Sequence, residues 1–400
     1  MMLEGNYEFI APGKIVFGWG RRTEIAQHAK TWGNRVHLIC GSRTLYNNGQ
    51  ISQILDSLTA AGFTLESEHF QHEEPTLEDV DRLSRELMEK GVSAGHGDIF
   101  VAVGGGSAID LAKACAATLT NMNAADEHAS VKDYLENVGR GFSLTQFPLP
   151  IIALPTTAGS GAEATKNAVI ASYDPPFKKS LRSDFLMPHL ALVDPELTVS
   201  NSPELTAACG MDTITQLAES FISRNSRPIP QALAMQGMRL ALDSLETAVK
   251  DGSDRDAREK MAHAALLSGM CLANAGLGMV HGIAPALGTH CRVPHGLACA
   301  ILLPAALRVN AETCQDRLAV LATYLFPDSY FANNEEAVEM LLYEINMLCN
   351  AIGVPRRLTE LGVREDQLPA IAADSRGSSM SGNPRDLTNL ELMKFLSELM

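Results

Sequence analysis

His281 and His295 stand fourteen residues apart in a glycine-rich, otherwise apolar stretch, Gly276-Leu-Gly-Met-Val-His281-Gly-Ile-Ala-Pro285-Ala-Leu-Gly-Thr-His290-Cys-Arg-Val-Pro-His295-Gly296. Upstream, Cys209-Gly-Met-Asp212-Thr-Ile-Thr-Gln216 sets a carboxylate and an amide oxygen four residues apart. On a helix that spacing stacks both side chains on one face. Two imidazoles, a carboxylate and an amide oxygen could together grip one divalent ion. A buried histidine that only satisfies a core hydrogen bond is the ordinary case, so the pattern needs support from elsewhere in the chain.

A second chemical signature lies nearer the N-terminus. Ile99-Phe-Val-Ala-Val103 reads as a buried strand, Gly104-Gly105-Gly106-Ser107 as a turn, and Ala108 as the opening of a helix. Three glycines let a backbone approach a ligand closely and take up positive φ. The helix N-terminus that follows presents free N–H groups and partial positive charge to a diphosphate. A plain tight strand-to-helix turn is the competing reading. Pro155-Thr156-Thr157-Ala-Gly159-Ser160-Gly161-Ala-Glu163 follows another apolar run. Its hydroxyls and backbone could hydrogen-bond ribose and phosphate oxygens.

The elements that must position these residues fall into two halves. Up to about residue 200, short apolar runs (Val36–Cys40, Asp98–Val103, Ile151–Leu154, Val169–Ser172, Ala191–Val193) alternate with helical stretches (Arg21–Trp32, Ile51–Ala61, Leu77–Lys90, Ala108–Leu119). Continuous apolar strands between helices indicate a parallel sheet covered on both faces. From Pro203 onward the chain reads as successive helices: Pro203–Ser223, Ile229–Val249, Ala257–Ala273, Leu297–Val309, Glu335–Asn350 and Asn389–Leu399. The expected architecture is α/β plus all-α, with domains at 1–199 and 200–400.

Five motifs in order make the chain resemble the iron-containing (group III) alcohol dehydrogenases. They are Phe9-Ile-Ala-Pro-Gly-Lys-Ile-Val-Phe-Gly18, Gly104 to Lys113, Pro155 to Glu163, Asp194-Pro-Glu-Leu-Thr198, and the histidine segment with Gly210-Met-Asp212; the likeness ends near Asn383-Pro-Arg. The resemblance implies a dehydroquinate synthase-like fold, a Rossmann-like nucleotide-binding domain followed by an all-helical metal-binding domain. It implies Asp212, His281 and His295 as metal ligands, with iron first and zinc second. The family's fourth ligand is usually histidine, and Gln216 stands there; an amide oxygen is a harder, weaker ligand, or it only hydrogen-bonds behind the others. Many relatives carry a histidine four residues after His281, where this chain has Pro285. His281 and His290 are then the candidate catalytic histidines, His290 as a substitute proton relay beside water or a cofactor ribose hydroxyl.

By the same resemblance the dinucleotide is held by Gly104, Gly105, Gly106, Ser107, Asp110, Thr156, Thr157 and Ser160, with Lys178 (or the adjacent Lys179) reaching the nicotinamide-side ribose. An NAD-selective site places a carboxylate on the adenosine ribose. After Val36–Cys40 this chain has Gly41-Ser42-Arg43-Thr44 and no acid. In the family, glycine directly after that strand often accompanies NADP. Gly41 is expected to leave room for a 2′-phosphate that Ser42, Thr44 and Arg43 would bind. NADP(H) is the expected cofactor, with NAD(H) the alternative.

The net charge of −15 offers no basic stripe for nucleic acid or an anionic membrane. No run reaches the roughly 18 apolar residues of a membrane span, and Met1–Asn6 lacks the features of a signal peptide. Eight dispersed cysteines without a Cys-x-x-Cys pair read as reduced cytoplasmic thiols. Cys291 and Cys299 flank the histidines, but a thiolate would compete with an already sufficient ligand set. The expected protein is a homodimeric alcohol dehydrogenase or aldehyde reductase acting on a small alcohol or aldehyde. The alternatives are a metal-independent reductase of the maleylacetate reductase type, a lyase using NAD transiently, and a silent dinucleotide-binding protein.

Overall fold

The structure is a computed structural model that describes residues 6–400 apart from Ala124 and Glu127. The Met1–Gly5 stretch, read above as lacking a signal sequence, lies outside the described residues. Two compact units divide the chain: Ile10–Thr157 with Gly161–Ser200, and Asn201–Met400 with Ala158–Ser160 and the N-terminal residues to Phe9.

The first unit is α/β. Its strands are β1 (Lys14–Phe17), β2 (Arg35–Cys40), β3 (Thr64–Phe70), β4 (Asp98–Gly104), β5 (Ile151–Pro155), β6 (Asn167–Tyr173), β7 (Pro176–Arg182) and β8 (Leu190–Val193). Six form a wholly parallel sheet in the order β1-β8-β5-β4-β2-β3. Between them run α1 (Ile25–Ala29), α2 (Arg43–Asn47), α3 (Gln50–Ala60), α4 (Leu77–Glu89) and α5 (Gly106–Asn121). Every residue of β4 is buried, and successive side chains go to opposite faces. Phe100 and Ala102 join the core beneath α4 and α5, while Ile99, Val101 and Val103 join the one beneath α1 and α3. That is why the strand reads as an unbroken apolar run.

Two strands depart from the sequence reading. Val169–Ser172, expected in the parallel sheet, lies in β6, which pairs antiparallel with β7 in a separate two-stranded sheet. A direct turn between Tyr173 and Pro176 leaves no room for the crossover a parallel pairing needs. Edge strand β3 reads Thr-Leu-Glu-Ser-Glu-His-Phe and is largely exposed. Charge on an edge blunts unwanted pairing and hides the strand from a search for apolar runs.

The second unit is helical: α6 (Pro203–Ile222), α7 (Pro228–Lys250), α8 (Arg255–Ala275), α9 (Met279–Cys291), α10 (His295–Leu325), α11 (Asn334–Ala351), α12 (Leu368–Asp374), α13 (Ser378–Ser381) and α14 (Asn389–Glu398). One core joins them, centred on α6 residues such as Met211, Ile214, Leu217 and Phe221. The histidine segment, too rich in glycine to read as a helix, forms α9 despite Pro285 within it. The expected Leu297–Val309 begins two residues earlier and runs to Leu325, with a kink at Cys314. This α10 is long and apolar enough to cross a membrane by composition, but more than half of that stretch is buried within the protein.

Candidate functional site

Asp212, Gln216 and Glu219 form one stripe of buried polar side chains on α6, at 6%, 3% and 2% exposure. Their i, i+4, i+7 spacing puts them on one face, and buried charge must find partners. The Glu219 carboxylate takes hydrogen bonds from Val280 N at 2.6 Å, His281 N at 3.3 Å and His281 Nδ1 at 2.8 Å. The two backbone donors belong to the first turn of α9, where no helical acceptor exists for them. Asn383 Oδ1 takes a third, from Met279 N at 3.1 Å. One carboxylate therefore fastens the helix N-terminus and makes Nδ1 the donor, turning His281 Nε2 toward Asp212. A carboxylate behind an imidazole is the usual support of a metal-ligating histidine.

His281 Nε2 lies 3.1 Å from Asp212 Oδ1, and His295 Nε2 lies 3.7 Å from the same oxygen. Burial would raise the Asp212 carboxyl, but the charge of His295 and the hydrogen bond and charge of His281 hold it down at about 2. Burial likewise opposes charge on His281; Cys299, Asp212 and Glu219 outweigh it and raise its pKa well above the usual range. His295 opens α10, and Cys299 sits one turn later on the same face. The Cys299 Sγ lies 3.9 Å from His281 Nε2 and 3.7 Å from His295 Nε2. The ligand atoms of Asp212, His281, His295 and Cys299 all lie within 4.8 Å of one another. A Cβ on Gly296 would stand 2.3 Å from Ala208 O, so glycine there lets His295 approach α6 one turn from Asp212. A carboxylate, two imidazoles and a thiol converging from α6, α9 and the start of α10, all but His295 buried, suit a divalent cation.

The remaining expected residues of this unit fall elsewhere. Gln216 Oε1 accepts a hydrogen bond from Ser268 Oγ at 3.0 Å, and the Gln216 side chain hydrogen-bonds the Asp212 carboxylate. Its oxygen is thus engaged with α8. His290 is not brought to the cluster. Nine residues along α9 from His281 means two and a half turns, about 13.5 Å of rise and the opposite face, and His290 Nε2 pairs with Asp374 Oδ2 at 2.6 Å. The relay expected of it has no geometric support. Glu219 escaped the sequence reading, although its position seven residues after Asp212 was a usable signal. Cys299 was set aside because the ligand set read as sufficient without a thiolate; α10 starts at His295 and so carries Cys299 one turn behind that histidine.

In the α/β unit, β5, β4 and β2 are neighbours in the sheet, and their C-terminal ends lie in line: Cys40 pairs with Val103 and Gly104 with Pro155. Gly41, Gly104 to Ser107, Thr156 and Thr157 therefore gather at one edge, where ligands of open parallel sheets bind. Gly104 O accepts from Thr156 N at 3.0 Å. Gly105 caps α5 with φ −71°, and neither Gly104 nor Gly106 has positive φ. Close approach, not left-handed backbone, is what these glycines provide: a Cβ on Gly104 would stand 2.6 Å from Ala108 Cβ and 2.9 Å from Gly41 Cα. Gly41 does not simply leave space for a phosphate, since its own Cβ would meet Gly104 Cα at 3.0 Å and Ala108 Cβ at 3.1 Å.

Ser42 caps α2 by accepting from Leu45 N at 3.3 Å, and Arg43 and Thr44 are exposed in its first turn. Asp110 Oδ2 accepts from Val169 N at 3.0 Å, which ties α5 to β6. Lys178 on β7 is ion-paired with Glu74, and strand alternation sends Lys179 to the other face. Ser160 belongs to the Ala158–Ser160 segment of the helical unit, where Thr213 Oγ1 donates to Gly159 O at 3.0 Å.

A parallel nucleotide-type sheet and a buried Asp-His-His cluster in a helical unit define the class of a metal-assisted, dinucleotide-dependent oxidoreductase. Residues 12–195 match the iron-containing alcohol dehydrogenase family, and residues 206–400 match the C-terminal region of the Fe-containing alcohol dehydrogenase family. The chain belongs to the iron-containing alcohol dehydrogenases. It is 32% identical over 358 residues to long-chain-alcohol dehydrogenase 1 of Geobacillus thermodenitrificans (strain NG80-2), covering 90% of this chain and 87% of that one. It is 31% identical to 1,3-propanediol dehydrogenase of Citrobacter freundii, covering 98% of each. A solved 1,3-propanediol oxidoreductase superposes with a TM-score of 0.88 at 28% identity, over 99% of this chain and all of that one. The protein is thus an alcohol dehydrogenase, and its family implies a divalent metal and a nicotinamide dinucleotide.

Proposed function

We propose that this enzyme interconverts a small alcohol and its aldehyde, using NADP(H) in preference to NAD(H) and an ion held by Asp212, His281 and His295. The observation that carries this reading is the convergence of those three side chains with Glu219 behind His281. A bound divalent ion would supply Lewis-acid stabilisation of negative charge on the substrate oxygen, worth several kcal/mol. Asp212 brings the anionic charge, and Glu219 keeps Nε2 of His281 turned inward. The N-terminus of α5 favours a diphosphate, with Thr156 and Thr157 alongside. Exposed Arg43 and Thr44, with no acid directly after β2, favour a 2′-phosphate. A homodimer in the cytoplasm is part of the proposal.

The test is turnover of a panel of short aldehydes with NADPH and with NADH, before and after chelation and on return of Fe²⁺ or Zn²⁺. Loss on chelation and recovery with metal support the reading. Full activity in protein shown by elemental analysis to be metal-free would replace it with the metal-independent reductase. Because Gly41 is pinned by its neighbours, the cleaner cofactor probe is Arg43→Ala. It should lower kcat/KM for NADPH about tenfold and leave NADH unchanged. A wild-type preference for NADH would overturn the cofactor assignment.

A further inference from the structure

Resting on the reading of Asp212, His281 and His295 as metal ligands, we propose that the fourth protein ligand is the thiolate of Cys299, and that Gln216 is a positioning residue for Asp212. The geometry is that of a preformed coordination shell. A tetrahedral ion with bonds of about 2.0–2.1 Å to nitrogen and oxygen and about 2.3 Å to sulfur needs ligand–ligand separations of roughly 3.3–3.6 Å. Four edges of the cluster measure 3.1 Å (His281 to Asp212), 3.7 Å (His295 to Asp212), 3.7 Å (Cys299 to His295) and 3.9 Å (Cys299 to His281). They bracket the required values, and with all four ligand atoms within 4.8 Å of one another, side-chain adjustment onto an ion would close the shell.

Gln216 has the opposite disposition. Its carbonyl oxygen receives Ser268 Oγ at 3.0 Å from α8, and its side chain meets the carboxylate of Asp212. An amide donating to a ligating carboxylate orients that ligand, while its own oxygen is turned to Ser268 on α8. Asp212, His281 and Cys299 are buried, with Cys299 at 0% and His281 at 7% exposure, while the His295 imidazole is half-buried.

The binding step balances simply. The Cys299 S–H bond breaks, its proton leaves to solvent, and the sulfur lone pair forms the bond to the ion. Asp212 and Cys299 together then carry two negative charges against a divalent cation, where Gln216 would have left one. A thiolate is also a soft donor, so the site should favour zinc over iron by comparison with an all-N/O set. Cys299 touches the ion and is a ligand; Gln216 acts only through Asp212.

The experiment uses the full chain, stripped by chelation and titrated with Co²⁺ alone. Wild type should show the visible ligand-field bands of a four-coordinate ion and a near-ultraviolet sulfur-to-cobalt charge-transfer band. Cys299→Ser should keep cobalt binding but lose the charge-transfer band, with affinity for Zn²⁺ down at least tenfold. Gln216→Ala should keep that band and weaken binding by no more than a few-fold. Ligand-field bands without charge transfer in wild type overturn the Cys299 assignment while leaving the three-ligand reading intact. Absence of cobalt binding in wild type, or equal binding in an Asp212→Asn/His281→Ala double variant, overturns the three-ligand reading and this proposal with it. Wild type alone decides the first point, so a poorly folding variant does not shield the idea.

Discussion

Lys113 and Asp212 each bury a charge in the middle of a helix, but their surroundings are opposites. Lys113 on α5 is wholly enclosed, and its ammonium donates to Ala162 O at 2.6 Å, Thr165 O at 2.7 Å, Thr165 Oγ1 at 2.9 Å and Asn167 O at 3.1 Å. All three of its N–H groups find acceptors, one of them shared, and the group ties the loop from Ala162 to Asn167 onto α5. Around Asp212, by contrast, a carboxylate, two imidazoles and a thiol point inward at one another. A matched centre holds a fold together; a convergent one waits for an ion. Burial and shifted titration mark both, so neither property alone identifies a site.

Breaking the convergent centre should leave the protein folded. Asp212→Asn is expected to lose bound metal and to reduce kcat/KM on the order of a thousandfold, the equivalent of about 4 kcal/mol. Circular dichroism and the thermal midpoint should stay close to wild type. A metal-replete Asp212→Asn enzyme would remove Asp212 from the ligand set.

Breaking the matched centre should do the reverse. Lys113→Met strands three carbonyls and a hydroxyl, and removes the cation beside Asp110 and Glu163, leaving Asp110 only Lys178, at a cost of about 3–5 kcal/mol of stability. Urea unfolding measures it, and the fraction that folds should bind metal normally. A variant of wild-type stability would show that the four hydrogen bonds are dispensable.

A smaller effect sharpens the link between framework and metal. Glu219→Gln keeps an oxygen for the first turn of α9 but weakens the hold on His281 Nδ1. Metal affinity, read by competition with a chelator, should fall 10- to 100-fold. Unchanged affinity would confine Glu219 to capping the helix.

The smallest expected effect is a pH dependence belonging only to the matched centre. Burial pushes the Glu163 carboxyl up from 4.5 to about 7, against the opposing charge of Lys113. Its folded pKa exceeds its unfolded one, so its contribution is full below about 4.5 and fades as pH rises through about 7. Against Glu163→Gln, wild type should lose roughly 1–3 kcal/mol of relative stability between pH 4.5 and 8. A flat difference across that window would mean Glu163 stays ionised in the folded chain.

Local pattern carried the framework. The apolar runs at Val36–Cys40, Asp98–Val103 and Ile151–Leu154 announce buried parallel strands because both faces of each are covered. Helical spacing from Pro203 announced the all-α half. Residue type offered Asp212, Gln216, His281 and His295 as one ion site, and the resemblance to the iron-containing alcohol dehydrogenases marked Asp212, His281 and His295 as its ligands. What pattern could not decide was which atoms meet across long stretches of chain. Glu219 reaches α9 from 62 residues away, and Cys299 enters the cluster only because α10 begins at His295. Gln216 turns its oxygen to Ser268 on another helix, and nine residues of unbroken helix carry His290 away from His281. A side chain at Gly41 would crowd Gly104 on the neighbouring strand and Ala108 on α5. Periodicity records how deeply each residue is buried, since burial repeats with the local geometry of helix or strand. The direction of a polar side chain depends on partners brought near by packing, and only the tertiary structure supplies those.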